Sequence, residues 1–393
     1  MNKKIFTNVK VAQTYGIIED GIVAVSGGVI SAVGTRDDYD TISRMLASEG
    51  AAEEIEIIDG RGLYLGPGLV DIHTHASDVQ FFTEDPIACA QHHLMHGTTS
   101  VFPALYFSFT PEQYIAAINQ MKEASQKPGG INIAGVYMEG PFLNPKFGCD
   151  KENNPWKTVD PGQYMPVIEA AKDFAAVYCV APERDNILQY VHDVKTLVPD
   201  AVFAVAHSEA SSEQVEAIIP YGLKIGTHFS DATGKVHKWS DVEIVGVGPD
   251  EVVLMHDDIY AELIVDNMGV HVDPYLIRLV RKVKGDDRVI LISDAYAAAG
   301  PRPEEYKDCF DINFDFTGEI AGSKLTLDQA CRNMMKHSGC GIAEVFKFAA
   351  SNPARAIGFN DRGEIAAGKR ADIILVDSGM NVEHIYIAGN KIR

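Results

Sequence analysis

The stretch Leu69-Val70-Asp71-Ile72-His73-Thr74-His75, LVDIHTH, opens the part of the chain whose rhythm decides the fold. Its apolar start reads as a strand. Side chains alternate faces along a strand, so His73 and His75 point one way while Ile72 and Thr74 point the other. Two imidazoles on one face could share a metal ion. An isolated His-x-His serves equally well as a turn cap beside a solvated ring, so the residues downstream must decide.

Seven more strand-like runs follow: TSVFPAL (99–105), NIAGVYMEG (132–140), AVYCVAPE (176–183), VFAVAHS (202–208), KIGTHFSDA (224–232), YAELIVDN (260–267) and RVILISDA (288–295). Helical patterns lie between them, such as PEQYIAAINQMKEASQ (111–126), PGQYMPVIEAAKDF (161–174), NILQYVHDVKTLV (186–198), SSEQVEAIIPYG (211–222) and DPYLIRLVRKVKG (273–285). Several open with proline in the first turn or serine near the cap, which are helix-start signals. Eight strands alternating with helices predict an α/β fold, a closed (β/α)8 TIM-like barrel rather than an open sheet.

Both ends of the chain differ from this middle. KIFTNVKVA (4–12), GIVAVSG (21–27) and VISAVG (29–34) read as short strands, with Gly27-Gly28 turning a hairpin between the last two. Two helical stretches, 325–339 and 343–358, precede a C-terminal return to short strands and glycine turns. The expectation is a small β-sandwich domain built from both termini, residues 1–65 and 360–393, beside a barrel catalytic domain of residues 66–359.

Composition narrows the functional classes. Charged residues are 23% and hydrophobic ones 46%, ordinary for a globular chain, so long disordered segments are not expected. The net charge of -21 opposes nucleic acid and anionic membrane surfaces as partners. Six cysteines are scattered without a Cys-x-x-Cys pair, and no stretch has the length and apolarity of a membrane span. Free thiols and the absence of an apolar leader run point to the cytoplasm.

Barrel enzymes place their chemistry at the C-terminal ends of the strands. Those ends carry His73 and His75 on the first, Glu139 on the third, His207 on the fifth, His228 on the sixth and Asp294 on the eighth. Each residue alone has an ordinary structural explanation. Six imidazoles and carboxylates at one set of strand ends are better explained as ligands for zinc or iron. His271, in VDNMGVHVDP just past the seventh strand, is placed to touch a substrate rather than a metal. His92, His93, His96, His192, His237, His256, His337 and His384 fall in helices or connections and read as surface or packing residues.

The stretches LGPGLVDIHTH, GVYMEGPFLN, VAHSEAS, GTHFSDA, DNMGVHVDP, LISDAYAAAG, AGSKLTLDQACRN, ASNPARAIG and GEIAAGKRADIILVD resemble the amidohydrolase superfamily and, within it, the N-acetylglucosamine-6-phosphate deacetylase family. The resemblance implies that Glu139, His207 and His228 hold one divalent metal and that His73, His75 and Asp294 would hold a second. It further implies Asp294 as the catalytic acid and base, His271 as the residue contacting substrate, and hydrolysis of a small N-acyl compound.

Three departures concern the substrate. The family's Gly-Ala-His loop is here Gly148-Cys149-Asp150, its Asn-Ala-Met is Asp231-Ala232-Thr233, and its phosphate-binding arginine from a neighbouring subunit has no clear counterpart. Lys235, His237 and Lys238 lie nearby but out of pattern, and the glycines that follow the family's histidine pair are missing. Asp150, Asp231 and Ala232 are therefore expected at the substrate. A phosphosugar, an unphosphorylated or amine-bearing N-acyl sugar and an N-acyl amino acid all stay open, as does a homodimer. A barrel retained only as a non-catalytic scaffold is disfavoured, because all six ligand positions are filled.

Overall fold

The computed structural model describes residues 3–49, 54–148, 154–235, 246–297 and 299–393. The chain forms two compact units, one of residues 1–71, 93–100 and 327–393, the other of residues 72–92 and 101–326.

The first unit is β-rich and takes strands from both ends of the chain. Strands β1 (Lys3–Gln13), β2 (Gly16–Ser26), β3 (Val29–Thr35), β4 (Ile55–Asp59) and β5 (Tyr64–Pro67) come from the N-terminal part. One helix, α1 (Tyr39–Ser48), interrupts them. Alternation in β2 sends Val23 and Val25 to a core shared with Phe6, Val9 and Leu65, and sends Ile22 and Ala24 to a second cluster with Ile42 and Leu46 of α1. Reading residues 1–65 as strands alone misses this helix. Its signal was the spacing of Tyr39, Ile42 and Leu46, one apolar stripe at helical period.

The barrel strands follow: β6 (Leu69–Thr74), β7 (Thr98–Tyr106), β8 (Val136–Glu139), β9 (Ala175–Val180), β10 (Val202–Val205), β11 (Leu223–Gly226), β12 (Tyr260–Ile264) and β13 (Val289–Ile292). They form one sheet in sequence order. The pairings from β7 through β13 are all parallel. Backbone hydrogen bonds bring its two ends together, the Asp294 N–H donating to the His73 carbonyl and the His75 N–H to the Ala295 carbonyl, both at 3.0 Å. Closure therefore runs through residues already singled out for chemistry.

Helices α2 (Pro86–Met95), α3 (Pro111–Ser125), α4 (Pro161–Ala171), α5 (Ile187–Leu197), α6 (Ser212–Glu216), α7 (Pro249–Met255) and α8 (Pro274–Lys284) fill the connections. Local chemistry starts them where the sequence indicated. Thr110 and Gln113 form a capping box ahead of Pro111, Asp160 caps α4 before Pro161, and Asp273 caps α8 before Pro274. A hairpin, β14 (Ile312–Phe314) and β15 (Ile320–Ser323), then intervenes between the last barrel strand and α9 (Leu327–Ser338). Sequence reading did not anticipate it. Helices α10 (Ile342–Phe346) and α11 (Asn352–Ala356) lead to β16 (Ile373–Val376), β17 (Val382–Ile387) and β18 (Asn390–Lys391), which join the β-rich unit in the order β18-β17-β16-β5-β1-β2-β3, with β4 beside β1.

Among the described residues no helix is long and apolar enough to cross a membrane. Cys89, Cys179, Cys309, Cys331 and Cys340 are buried free thiols.

One buried amine gives the barrel unit a pH signature. Lys284 ends α8 and donates to the carbonyls of Val253 and His256, which α7 leaves without helical partners. Burial pushes its pKa from 10.5 down to about 8. Between those values the unfolded chain binds the proton and the folded chain does not, so this group's contribution to stability rises with pH. Melting the native protein beside Lys284→Met across that window should show the difference moving in favour of the native chain as pH increases. A difference independent of pH would contradict a buried amine.

Candidate active site

Six side chains meet at the C-terminal mouth of the barrel. Glu139 is the last residue of β8, and its carboxylate is the common neighbour of four imidazoles. Its Oε1 lies 2.9 Å from His207 Nε2, 3.4 Å from His228 Nε2 and 3.7 Å from His73 Nε2, while Oε2 lies 3.1 Å from His75 Nε2. Asp294 Oδ1 is 3.3 Å from His75 Nε2 and 3.7 Å from His73 Nε2. The Nε2 atoms of His207 and His228 stand 3.1 Å apart. All six side chains are buried or nearly so.

The backbone aims three of these groups by the same device. His207, His228 and Asp294 each follow their strand's last residue by two positions, and each has positive φ, +42°, +30° and +43°. That left-handed conformation is uncommon for residues with a Cβ and costs on the order of 1–3 kcal/mol when the surroundings enforce it. It turns the chain out of the strand and the side chain into the barrel mouth. His73 and His75 use strand alternation instead, Thr74 between them facing the other way.

Electrostatics match the crowding. Burial alone would raise both carboxylic acids, yet the His73 and His75 imidazoles hold Glu139 well below the usual carboxylate range and Asp294 down to about 2. Reciprocally, burial opposes charge on the rings, but Glu139 with Asp294 pushes His75 up to about 9, and Glu139 with Asp231 pushes His228 to about 9. His207 is lowered by burial and by the neighbouring His228. The cluster thus favours positive charge at its centre.

The donor set fits a divalent cation. His73, His75 and Glu139 form one triad and Glu139, His207 and His228 another, with ligand atoms inside each triad within 4.8 Å of one another. Tetrahedral zinc with ligands at about 2.0–2.1 Å has ligand edges of roughly 3.3 Å, close to the separations found here. Imidazole nitrogen and carboxylate oxygen are the donors that zinc and non-haem iron accept.

Beside the cluster lies a cavity of about 220 Å³. His75, Glu139, His207, His228 and Asp294 line it, and so do the expected substrate residues Asp231 and Ala232. His271 does not line it. Its ring is 2% exposed, with Nδ1 3.3 Å from Asp266 Oδ2, and it feels the charges of Asp231 and Asp294. Asp150 lies outside the described residues.

Several cavity residues escaped sequence reading. Tyr106 ends β7, Lys146 and Phe147 belong to the loop after β8, Tyr296 follows Asp294, and Glu319 to Gly322 come from the hairpin. The hairpin is tied to Asp294 directly, since the Ser323 N–H donates to the Asp294 carbonyl at 2.8 Å and the Tyr296 N–H donates to the Ser323 carbonyl at 2.9 Å. Gly322 makes this approach possible. Its φ is +56°, and a Cβ there would stand 2.5 Å from the Asp294 carbonyl oxygen. The glycine in IAGSK was the available signal, because an isolated glycine in a strand marks close backbone approach.

Comparison with known proteins supplies the wider setting. The sequence profile of the amidohydrolase family matches residues 64–392. An N-acetylglucosamine-6-phosphate deacetylase of Lysinibacillus sphaericus is 28% identical over 372 residues, covering 87% of this chain and 88% of its own. An N-acetylgalactosamine-6-phosphate deacetylase of Escherichia coli O157:H7 is 28% identical over 340 residues, 83% and 86% of the two chains. Among solved structures, the N-acetylglucosamine-6-phosphate deacetylase of Pasteurella multocida superposes with a TM-score of 0.81 at 24% identity, covering 99% of each chain.

Replacing Gly322 by alanine should displace Asp294 and leave the barrel folded. A misplacement on the order of 1 Å can reduce turnover about 10²-fold, and we expect kcat of Gly322→Ala to fall by that order, with a lowered melting temperature from the positive φ and the backbone contact. Retention of native kcat would mean that the hairpin does not set Asp294.

Proposed function

The chain belongs to the amidohydrolase family, hydrolases of amide C–N bonds, and from that premise we propose that it is a metal-dependent deacylase removing acetate from a small N-acetyl amino sugar. The observation that carries this reading is the convergence of four imidazole Nε2 atoms and two carboxylates at the strand ends, beside a cavity of small-molecule size. Overall likeness to deacetylases of N-acetylated sugar phosphates supports the reaction type. Free buried thiols fit a reducing compartment, so we assign the protein to the cytoplasm.

In the mechanism, Glu139, His207 and His228 would hold one divalent ion, zinc or iron, and His73, His75 and Asp294 a second. Such an ion supplies Lewis acidity and lowers the pKa of water from about 15.7 to about 7, giving a nucleophile at neutral pH. Asp294 accepts the proton of the attacking water and delivers it to the departing nitrogen, serving as base and then as acid. His271, held through Nδ1 by Asp266, does not line the cavity and would have to turn Nε2 into it to meet the oxyanion of the tetrahedral intermediate. The aromatic rings of Tyr106, Phe147 and Tyr296 in the cavity wall would pack against the acyl group.

A second reading concerns the amine half of the substrate. Asp231 and Lys146 both line the cavity, Lys146 is paired with Glu209, and Lys235, outside the lining, is paired with Glu251. A phosphate about 4 Å from a carboxylate, at an effective dielectric of about 20, loses on the order of 4 kcal/mol, which is about a thousandfold in affinity. This favours an unphosphorylated or amine-bearing N-acyl sugar over a sugar phosphate.

Acetate release from N-acetylglucosamine and from its 6-phosphate tests both readings. Deacylation of either sugar, abolished by a chelator and restored by zinc or iron, is the expected result, with Asp294→Asn slower by about 10²–10⁴-fold. The unphosphorylated sugar should be the better substrate. Preferential turnover of the 6-phosphate would remove the Asp231 argument and leave the deacylase reading standing, whereas no amide hydrolysis with added metal would remove both.

A further inference from the structure

Glu262 is a carboxylate in the interior of the barrel that the reaction above does not use. It sits in β12 with no exposure, a rare placement for an acid. Among the described residues its carboxylate has no lysine or arginine partner. Three groups face it instead: Oε2 is 3.5 Å from His73 Nδ1 and 3.4 Å from the backbone N of His228, and both oxygens lie 3.2–3.3 Å from the Tyr137 hydroxyl.

Hydrogen-bond direction follows from Glu262 being the acceptor. The Tyr137 hydroxyl donates to the Glu262 carboxylate oxygens. Tyr137 Oη then accepts from Thr227 Oγ1 at 2.8 Å, and Thr227 Oγ1 accepts from Cys179 Sγ at 3.6 Å. A buried relay of donors therefore ends at this one acid. His73 Nδ1 faces Glu262, and a proton held there would leave Nε2, on the side of Glu139 and Asp294, to ligate a metal. The Tyr137 ring stacks on the His73 ring at 4.4 Å with a 24° tilt, holding its plane.

We propose that Glu262 is the positioning residue of the metal centre, acting with Tyr137 to fix the tautomer and plane of His73 and to anchor the backbone of His228. It thereby reaches a ligand of each triad from beneath. This inference rests on the metal-dependent reading of the site. Acids and carbonyls that accept the second N–H of a ligating histidine orient the ring and raise its basicity, and their loss reduces metal affinity about 10–100-fold. Glutamine at 262 keeps the shape but offers one acceptor oxygen to three donors, so at least one donor must face an NH2 group.

The test is zinc affinity of metal-free protein, measured by competition with a chromophoric chelator, for the native chain, Glu262→Gln and Tyr137→Phe. Melting temperatures are recorded with and without zinc. We expect Glu262→Gln to bind zinc about 10–100-fold more weakly, and Tyr137→Phe about fivefold more weakly, the equivalent of one hydrogen bond. The increment in melting temperature given by zinc should shrink in both, over and above any lowering of the metal-free melting temperature by the mispaired donors. A merely structural residue would instead lower the metal-free value and leave zinc affinity intact. Native zinc affinity in a folded Glu262→Gln overturns the proposal, and if that variant does not fold, native affinity in Tyr137→Phe overturns it. A native chain that takes up neither zinc nor iron fails the metal-dependent reading itself, and this inference with it.

Discussion

Glu139 is the constraint around which the barrel mouth is organised. Its buried carboxylate touches four imidazoles that come from three other strand ends, and burying such a group is unfavourable unless opposite charge accompanies it. Each imidazole meets the same difficulty from the other side, since burial opposes its protonation. A divalent cation resolves both at once, because it supplies the positive charge that the carboxylates need and the electron acceptor that the neutral imidazoles need. The same carboxylates act on the rings, Glu139 with Asp294 pushing His75 and Glu139 with Asp231 pushing His228 up to about 9 against the burial that opposes it.

The fold contributes rigidity where this constraint is strongest. Parallel strands packed on both faces allow little relaxation, so three left-handed residues can be held at His207, His228 and Asp294. The backbone bonds that close the barrel run from Asp294 to His73 and from His75 to Ala295. Closure and site geometry are therefore one set of interactions, and loosening either would loosen the other.

Residue types and periodicity made the barrel and the six-residue cluster legible in advance. Alternating strand and helix patterns located the strand ends, and His73, His75, Glu139, His207, His228 and Asp294 all meet there. What stayed hidden depends on partners distant in sequence. The YAELIVDN run shows Glu262 among apolar strand residues, but not that it faces inward beneath His73 and His228 from 189 and 34 positions away. The β14–β15 hairpin escaped because strands of three and four residues carry too little periodicity to read. His271 was expected at the substrate; it does not line the cavity, and it is held by the turn that Asp266 builds by accepting the N–H groups of Met268, Val270 and His271.

The site thus has two layers with different tolerances to change. Ligand positions are fixed by strand ends and barrel closure, where a shift of one group disturbs all the others through Glu139. The wall of the cavity is assembled from loops and a hairpin, which supply Asp231, Phe147, Tyr296 and Glu319. Loops accept substitution more readily than packed strands. A change of substrate can therefore be met by replacing the wall while the cluster of imidazoles and carboxylates at the strand ends stays as it is.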